Sequence, residues 1–311
     1  MSLTRFTEVR AQAYSEALMT TDDLVIDADL VSRLVAAQFP HWADLDVQPV
    51  PEQGWDNRTF RLGGHLSVRM PSADGYVEGL LREEQTLAFL GPALRVAVPT
   101  VVASGHPSEA FPRPWSVRAW IDGRTLRSVP QHQRATAIAE IGSVLAELQR
   151  CGTDGGGWAG PSSAYRGCHV SAVGESMSAA LAAAPARLRE HGARLWSDAV
   201  RTVWRDDPVW VHGDVAPGNM LFDDDGHLVA LLDVGQTCIG DPACDLGFAW
   251  LGCGPEERIT FRRALPMPDD AWLRGAAWAL WKTLITDSDR LVFMYGRDRE
   301  SILRDIIANV G

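Results

Sequence analysis

The apolar residues of this chain change their spacing near Gly123, and that change constrains the fold more than any other feature of the sequence. From about Val47 they fall in short alternating runs bounded by Gly and Pro, the spacing of half-buried strands. "NRTFRLGGHLSVRMP" is expected to form a β-hairpin turning at Gly63-Gly64. Leu66, Val68 and Met70 would share one face of its second strand, and Ser67 and Arg69 the other. A helix is expected over Tyr76 to Leu90, and "VPTVVASG" and "PWSVRAWIDG" read as further strands. Two helices should precede the strands; in the second, Asp27 is the expected N-cap, with Leu30, Leu34 and Ala37 on one face.

After Gly123 the spacing turns helical. Ile138, Ile141, Leu145 and Leu148 lie on one helix face, a Gly-rich break follows, and another helical region is expected from about Ser171 to Trp204. Strands first and mostly helices afterwards predict an α+β chain of two lobes, residues 1–118 and 119–311, joined near Arg118 to Gly123. The 311 residues, 46% hydrophobic and 22% charged, suffice for two modest cores.

Several classes are excluded at this stage. No apolar run approaches the roughly 18 residues of a membrane span. A net charge of −11 argues against a nucleic-acid surface. Cys151, Cys168, Cys238, Cys244 and Cys253 form no CxxC pair and have no zinc spacing, as expected of reduced thiols in a cytoplasmic protein. Of the 29 basic residues only Lys282 is a lysine. Trp281 precedes it where a P-loop needs Gly, so that motif is absent.

The chemistry concentrates in "VWVHGDVAPGNMLF" and "HLVALLDVGQTCIGDPACDL". The first breaks out of a strand at Gly213 and presents Asp214 at the strand end, where catalytic side chains are commonly carried. Pro217 and Gly218 force a tight turn that brings Asn219 back beside Asp214. Asp233 closes the next apolar run, after a hairpin expected to turn as type I′ at Asp225-Gly226. An amide and a carboxylate offer hard oxygens that suit Mg²⁺. Asp214 as base, with Asn219 and Asp233 as metal ligands, is the set needed for phosphoryl transfer from a magnesium-bound nucleoside triphosphate. Each residue alone is an ordinary turn former; the combination carries the reading. His212, Asp241 and Asp245 are expected to support the loop structurally.

"HGDVAPGN", "LLDVG" and "GDPACDL" resemble the catalytic loop, metal loop and following segment of the aminoglycoside phosphotransferase family, bacterial small-molecule kinases with the protein-kinase-like fold. "QGWDNRTFRLG", "LSVRMPSADGY", "PWSVRAWIDG" and "WLRGAAWALWKTLI" extend the resemblance from about Gln53 to Ile285. It implies a small N-lobe with an antiparallel sheet and a larger helical C-lobe. It also implies that Asp214 is the catalytic residue and that Asn219 and Asp233 hold Mg²⁺. The donor would be ATP or GTP. Trp55 and Asn57 would belong to the loop over its phosphates, with Ser67 nearby. Arg69 stands where kinases place a lysine, with Glu83 as its ion-pair partner, and backbone groups around Arg118 to Trp120 would take the base. The implied function is transfer of the γ-phosphoryl to a hydroxyl of an aminoglycoside-type antibiotic. A kinase of another small metabolite, or a nucleotide-binding module without catalysis, are the alternatives. The phosphate loop is not G-x-G-x-x-G, and Val234 replaces the usual Phe. Asp287 and Asp289, read as lying at a helix end, are nominated as contacts for acceptor ammonium groups.

Overall fold

The computed structural model describes residues 24–51, 53 and 56–309, which form two compact units, residues 24–85 with 99–121 and residues 86–98 with 122–309. The expected first helix and Trp55 lie outside the described residues.

The first unit is built on five antiparallel strands, β1 (Val47–Pro49), β2 (Asn57–Leu62), β3 (Leu66–Pro71), β4 (Val101–Gly105) and β5 (Trp115–Ala119), in the order β1-β2-β3-β5-β4. The β2–β3 hairpin turns through Gly63, Gly64 and His65, with Leu62 opposite Leu66 and Thr59 opposite Arg69. Alternation along β3 sends Val68 and Met70 into a core with Phe60, Leu62, Trp115 and Val117. The helix Ala28–Gln38 closes that core. Asp27 caps it, accepting a 2.8 Å bond from the amide of Leu30. Its buried face is Leu30, Val31, Leu34 and Val35; Ala37 is exposed, contrary to expectation, because the β-branched pair carries the packing. Residues through Gln85 of the helix Val77–Leu90 complete the unit.

The second unit holds β6 (Arg124–Thr125), β7 (Val209–Val211), β8 (Met220–Phe222), β9 (Leu228–Leu231) and β10 (Cys238–Gly240). They form a β6-β8-β9 sheet and a β10-β7 pair. The helices Arg134–Leu148, Pro255–Ala264 and Asp269–Ile285 pack into the unit's apolar core. Asp269–Ile285 is apolar on nearly all sides, burying Trp272, Ala276, Trp278, Leu280 and Trp281, as a helix inside a core must. Its one fully buried charge, Arg274, is paired with Asp241 at 2.7 Å. Such a pair is costly to break, by about 3–5 kcal/mol.

Two local expectations are corrected. The region from Ser171 to Trp204 is two helices, Gly174–Ala183 and Ala186–Val200, because Pro185 forces Ala184 into an extended conformation. The β8–β9 turn is not type I′. Only Gly226 has positive φ (85°); Asp225 does not. The Asp223 carboxylate instead accepts from the amides of Asp225 and His227 at 3.0 and 2.8 Å and holds a wider loop. Among the described residues, no helix is long and apolar enough to cross a membrane.

Candidate active site

The loop after β7 is fixed by side chains before it delivers any chemistry. Buried Asp245 accepts the amides of His212 and Gly213 at 2.7 and 2.8 Å. Burial pushes its carboxyl above the usual range, while His212 and the two amides oppose that shift. Gly213 has φ of 81°, and a Cβ there would lie 2.7 Å from the Gln236 carbonyl, so the break requires glycine. His212 is fully buried. Its Nδ1 accepts the Asp214 amide at 3.2 Å and its Nε2 donates to the Leu232 carbonyl at 2.9 Å. Both ring nitrogens are thus spent on the scaffold, which leaves His212 no role as a base.

Asp214 leaves this scaffold with its carboxylate only 17% exposed. The Pro217–Asn219 turn returns the chain, and Asn219 Nδ2 donates to the Asp214 carbonyl at 2.9 Å. That bond commits the amide nitrogen and leaves Asn219 Oδ1 as the ligand-type atom. Met220 of β8 pairs with Leu231 of β9, and the Leu232 amide donates to the Asn219 carbonyl at 2.8 Å. Asp233 therefore emerges at the same end of the hairpin as Asn219. It adopts φ 57° and ψ 63°, a left-handed conformation that Asp tolerates better than most residues.

Lys282 was not anticipated at this site. From the last turn of Asp269–Ile285 its Nζ donates to Asp214 Oδ1 at 2.7 Å, with both side chains largely buried. The ammonium sits 5.5 Å from the Tyr295 ring centre. The Arg166 guanidinium lies over Trp281 and Trp278 at 4.8 and 5.4 Å. Burial would raise the Asp214 pKa, but the charge and hydrogen bond of Lys282, with Arg166 and His212, hold it below its ordinary value. Burial works against the ammonium too, yet Asp214 keeps Lys282 above its ordinary value, so the pair is ionised. A cavity of about 20 Å³, room for one water, is lined by these groups together with Val215, Phe248 and Leu251. One signal for Lys282 was present in the sequence. A single lysine in a chain that otherwise uses arginine singles out position 282, since an ammonium and a guanidinium are not interchangeable.

In the first unit, Arg69 Nε meets Glu83 at 3.2 Å, and Arg118 reaches the same carboxylate oxygen at 3.0 Å. Glu83 is 1% exposed and is shared by two guanidinium groups. Arg118 also donates to Ser116 Oγ at 3.0 Å, and Ser67 Oγ lies 3.5 Å from the Arg118 carbonyl. Burial raises Glu84 despite the opposing charge of Arg118. Asn57 is buried, and its Oδ1 finds no partner among the described residues. The expected backbone contacts at the join are narrowed by the sheet. The amides of Ala119 and Trp120 already donate to Thr100 and His65 at 2.9 and 2.8 Å. The Trp120 ring instead carries the Arg61 guanidinium at 4.3 Å.

The argument for Asp287 and Asp289 does not hold. Asp287 is the N-cap of the helix Ser288–Tyr295, accepting the Arg290 amide at 2.8 Å, and Asp289 lies in its first turn. The dipole favours negative charge there. The sequence reading mistook the start of this helix for the end of the one before it.

No curated protein matches the sequence. Solved structures with a similar fold include the GDP and kanamycin complex of APH(2")-IIia, 17% identical over 90% of this chain and 98% of that chain, with a TM-score of 0.71. The GDP complex of wild-type aminoglycoside 2'-phosphotransferase-IIIa is 16% identical over 91% and 99%, with a TM-score of 0.72. The apoenzyme of a macrolide 2'-phosphotransferase from Brachybacterium faecium is 21% identical over 92% and 98%, with a TM-score of 0.61. These likenesses establish a kinase-like phosphotransferase fold, with an antiparallel-sheet N-lobe and a helical C-lobe. The sequence profile of the phosphotransferase enzyme family matches residues 46–283, and the chain belongs to that family.

Proposed function

We propose that this protein is a small-molecule kinase that transfers the γ-phosphoryl of ATP or GTP to a hydroxyl of a small molecule of the antibiotic kind. The observation that carries this reading is the Asp214 carboxylate, held ionised chiefly by Lys282 at the end of β7, on a scaffold that fixes both of its flanks. Asp214 accepts the proton of the acceptor hydroxyl as the new O–P bond forms and the bond to the β-phosphate oxygen breaks. Lys282 engages Oδ1, so Oδ2 is the oxygen turned to the acceptor. The family supports phosphoryl transfer, and two of the structural neighbours are GDP complexes, one of them with kanamycin.

The donor set fits a magnesium ion that arrives with the nucleotide. Among the described residues no cluster of three or more His, Cys, Asp or Glu side chains could hold a metal alone. Mg²⁺ needs no such cage, since one or two protein ligands suffice when phosphate oxygens and waters complete the shell. Asn219 Oδ1 and the Asp233 carboxylate, at one end of the β8–β9 hairpin, would hold it, and the ion would neutralise charge between phosphates. Arg69, kept in place by Glu83, would grip the nucleotide phosphates, beside the loop carrying Trp55 and Asn57. Five cysteines without disulfides suit a cytoplasmic site of action.

The test is a donor-by-acceptor screen, ATP or GTP against a panel of hydroxylated antibiotics and metabolites, read by mass spectrometry. The reading predicts an acceptor that gains one phosphoryl group only with magnesium present. Nucleotide binding without transfer to any acceptor would make the protein a binding module instead.

A further inference from the structure

We propose that the acceptor is an uncharged or anionic hydroxyl compound, and that the ion pair and guanidinium beside Asp214 select against polycationic acceptors. This rests on the phosphotransferase reading of the same site and sets aside the aminoglycoside acceptor that the motif resemblance implies.

The argument is a count of charges where the acceptor has to be. Among the described residues lining the Asp214 cavity, Asp214 is the one carboxylate, against the ammonium of Lys282 and the guanidinium of Arg166. The carboxylate is already neutralised by Lys282 at 2.7 Å, which leaves the local balance positive. Asp245, which holds the same loop, is committed to the amides of His212 and Gly213. Asp241 is committed to Arg274. A hydroxyl hydrogen-bonded to either oxygen of Asp214 lies within about 8 Å of Lys282 Nζ. That is no farther than the screening length at physiological salt, about 8 Å, and partial burial weakens screening further. An ammonium on the acceptor ring would meet the uncompensated guanidinium of Arg166 and no uncommitted carboxylate in the cavity lining.

The remaining lining agrees. Trp278, Trp281, Phe248, Leu251 and Val215 are buried aromatic and aliphatic lining that carries no acid, and Arg166 is stacked on both indoles. Such walls offer no acid to an amine. The two acids once nominated as ammonium contacts are helix-start residues, with Asp287 occupied as a cap.

Three probes separate charge from shape: kanamycin, kanamycin with every amine acetylated, and glucuronate. They are assayed with ATP and with GTP for phosphorylated product, and by calorimetry on the nucleotide-bound protein. The proposal predicts that the acetylated and anionic probes exceed kanamycin in kcat/KM, or in affinity where turnover is absent, by about tenfold at low salt. Added salt should narrow that gap, and Arg166→Gln should narrow it about threefold. Preference for kanamycin, equal use of all three, or failure of both uncharged and anionic probes to bind would overturn it. Absence of nucleotide binding altogether would instead remove the phosphotransferase reading.

Discussion

At Asp214 burial and charge act in opposite directions, and the carboxylate is ionised, as the proposed base must be, only because charge wins. Removing Lys282 reverses the balance. In Lys282→Met the buried carboxylate has lost its hydrogen-bonded partner, so its pKa should rise and the acid limb of the pH–rate profile should move to higher pH. An unshifted acid limb would mean that another group sets it. The same pair makes a stability prediction. Because the folded pKa of Asp214 is depressed, its contribution is present above the ordinary carboxylate range and lost as pH falls through the depressed value. Lys282→Met should therefore cost about 3 kcal/mol at neutral pH, with the difference from wild type shrinking in acid. Urea midpoints of both proteins across acidic and neutral pH check this. The return of Asn219 to Asp214 was legible in the sequence because one tight turn joins them, and Asp233 followed from the hairpin that ends beside Asn219. Lys282 was not, because its contact spans 68 positions and depends on how a helix packs.

At the scale of elements, the hairpin β8–β9 positions the proposed metal ligands Asn219 and Asp233, and the helix Ser288–Tyr295 illustrates a boundary that sequence alone misplaces. Asp233→Ala should abolish the magnesium-dependent part of nucleotide affinity, read by calorimetry with and without the ion. Asp233→Asn, which tolerates the left-handed backbone, should weaken it less. Equal magnesium dependence in wild type and Asp233→Ala would remove this residue from the metal site. Asp287→Ala should lose about 1 kcal/mol of stability through the lost cap and leave acceptor KM unchanged. A rise in acceptor KM would restore the role it was first given. Strands and helices with strong periodicity, such as β3 and Arg134–Leu148, were readable from apolar spacing. The break at Pro185 and the start at Asp287 were not, since both fall where one helical pattern runs into the next.

For the whole molecule, two separate apolar clusters give each unit its own core, and the family profile spans both. The change from strand to helical spacing near Gly123 anticipated this α+β organisation without locating any side-chain contact. The central claim is that the second unit presents Asp214 as the base for phosphoryl transfer to a small hydroxylated acceptor. Its most direct test is transfer of labelled γ-phosphoryl to the best acceptor of the panel by wild type and by Asp214→Asn, with nucleotide affinity measured in parallel. The amide matches the carboxylate in size but cannot take a proton. The account predicts unchanged nucleotide affinity and a transfer rate lower by about 10²–10⁴-fold in the variant. Transfer at a near wild-type rate by Asp214→Asn would contradict it.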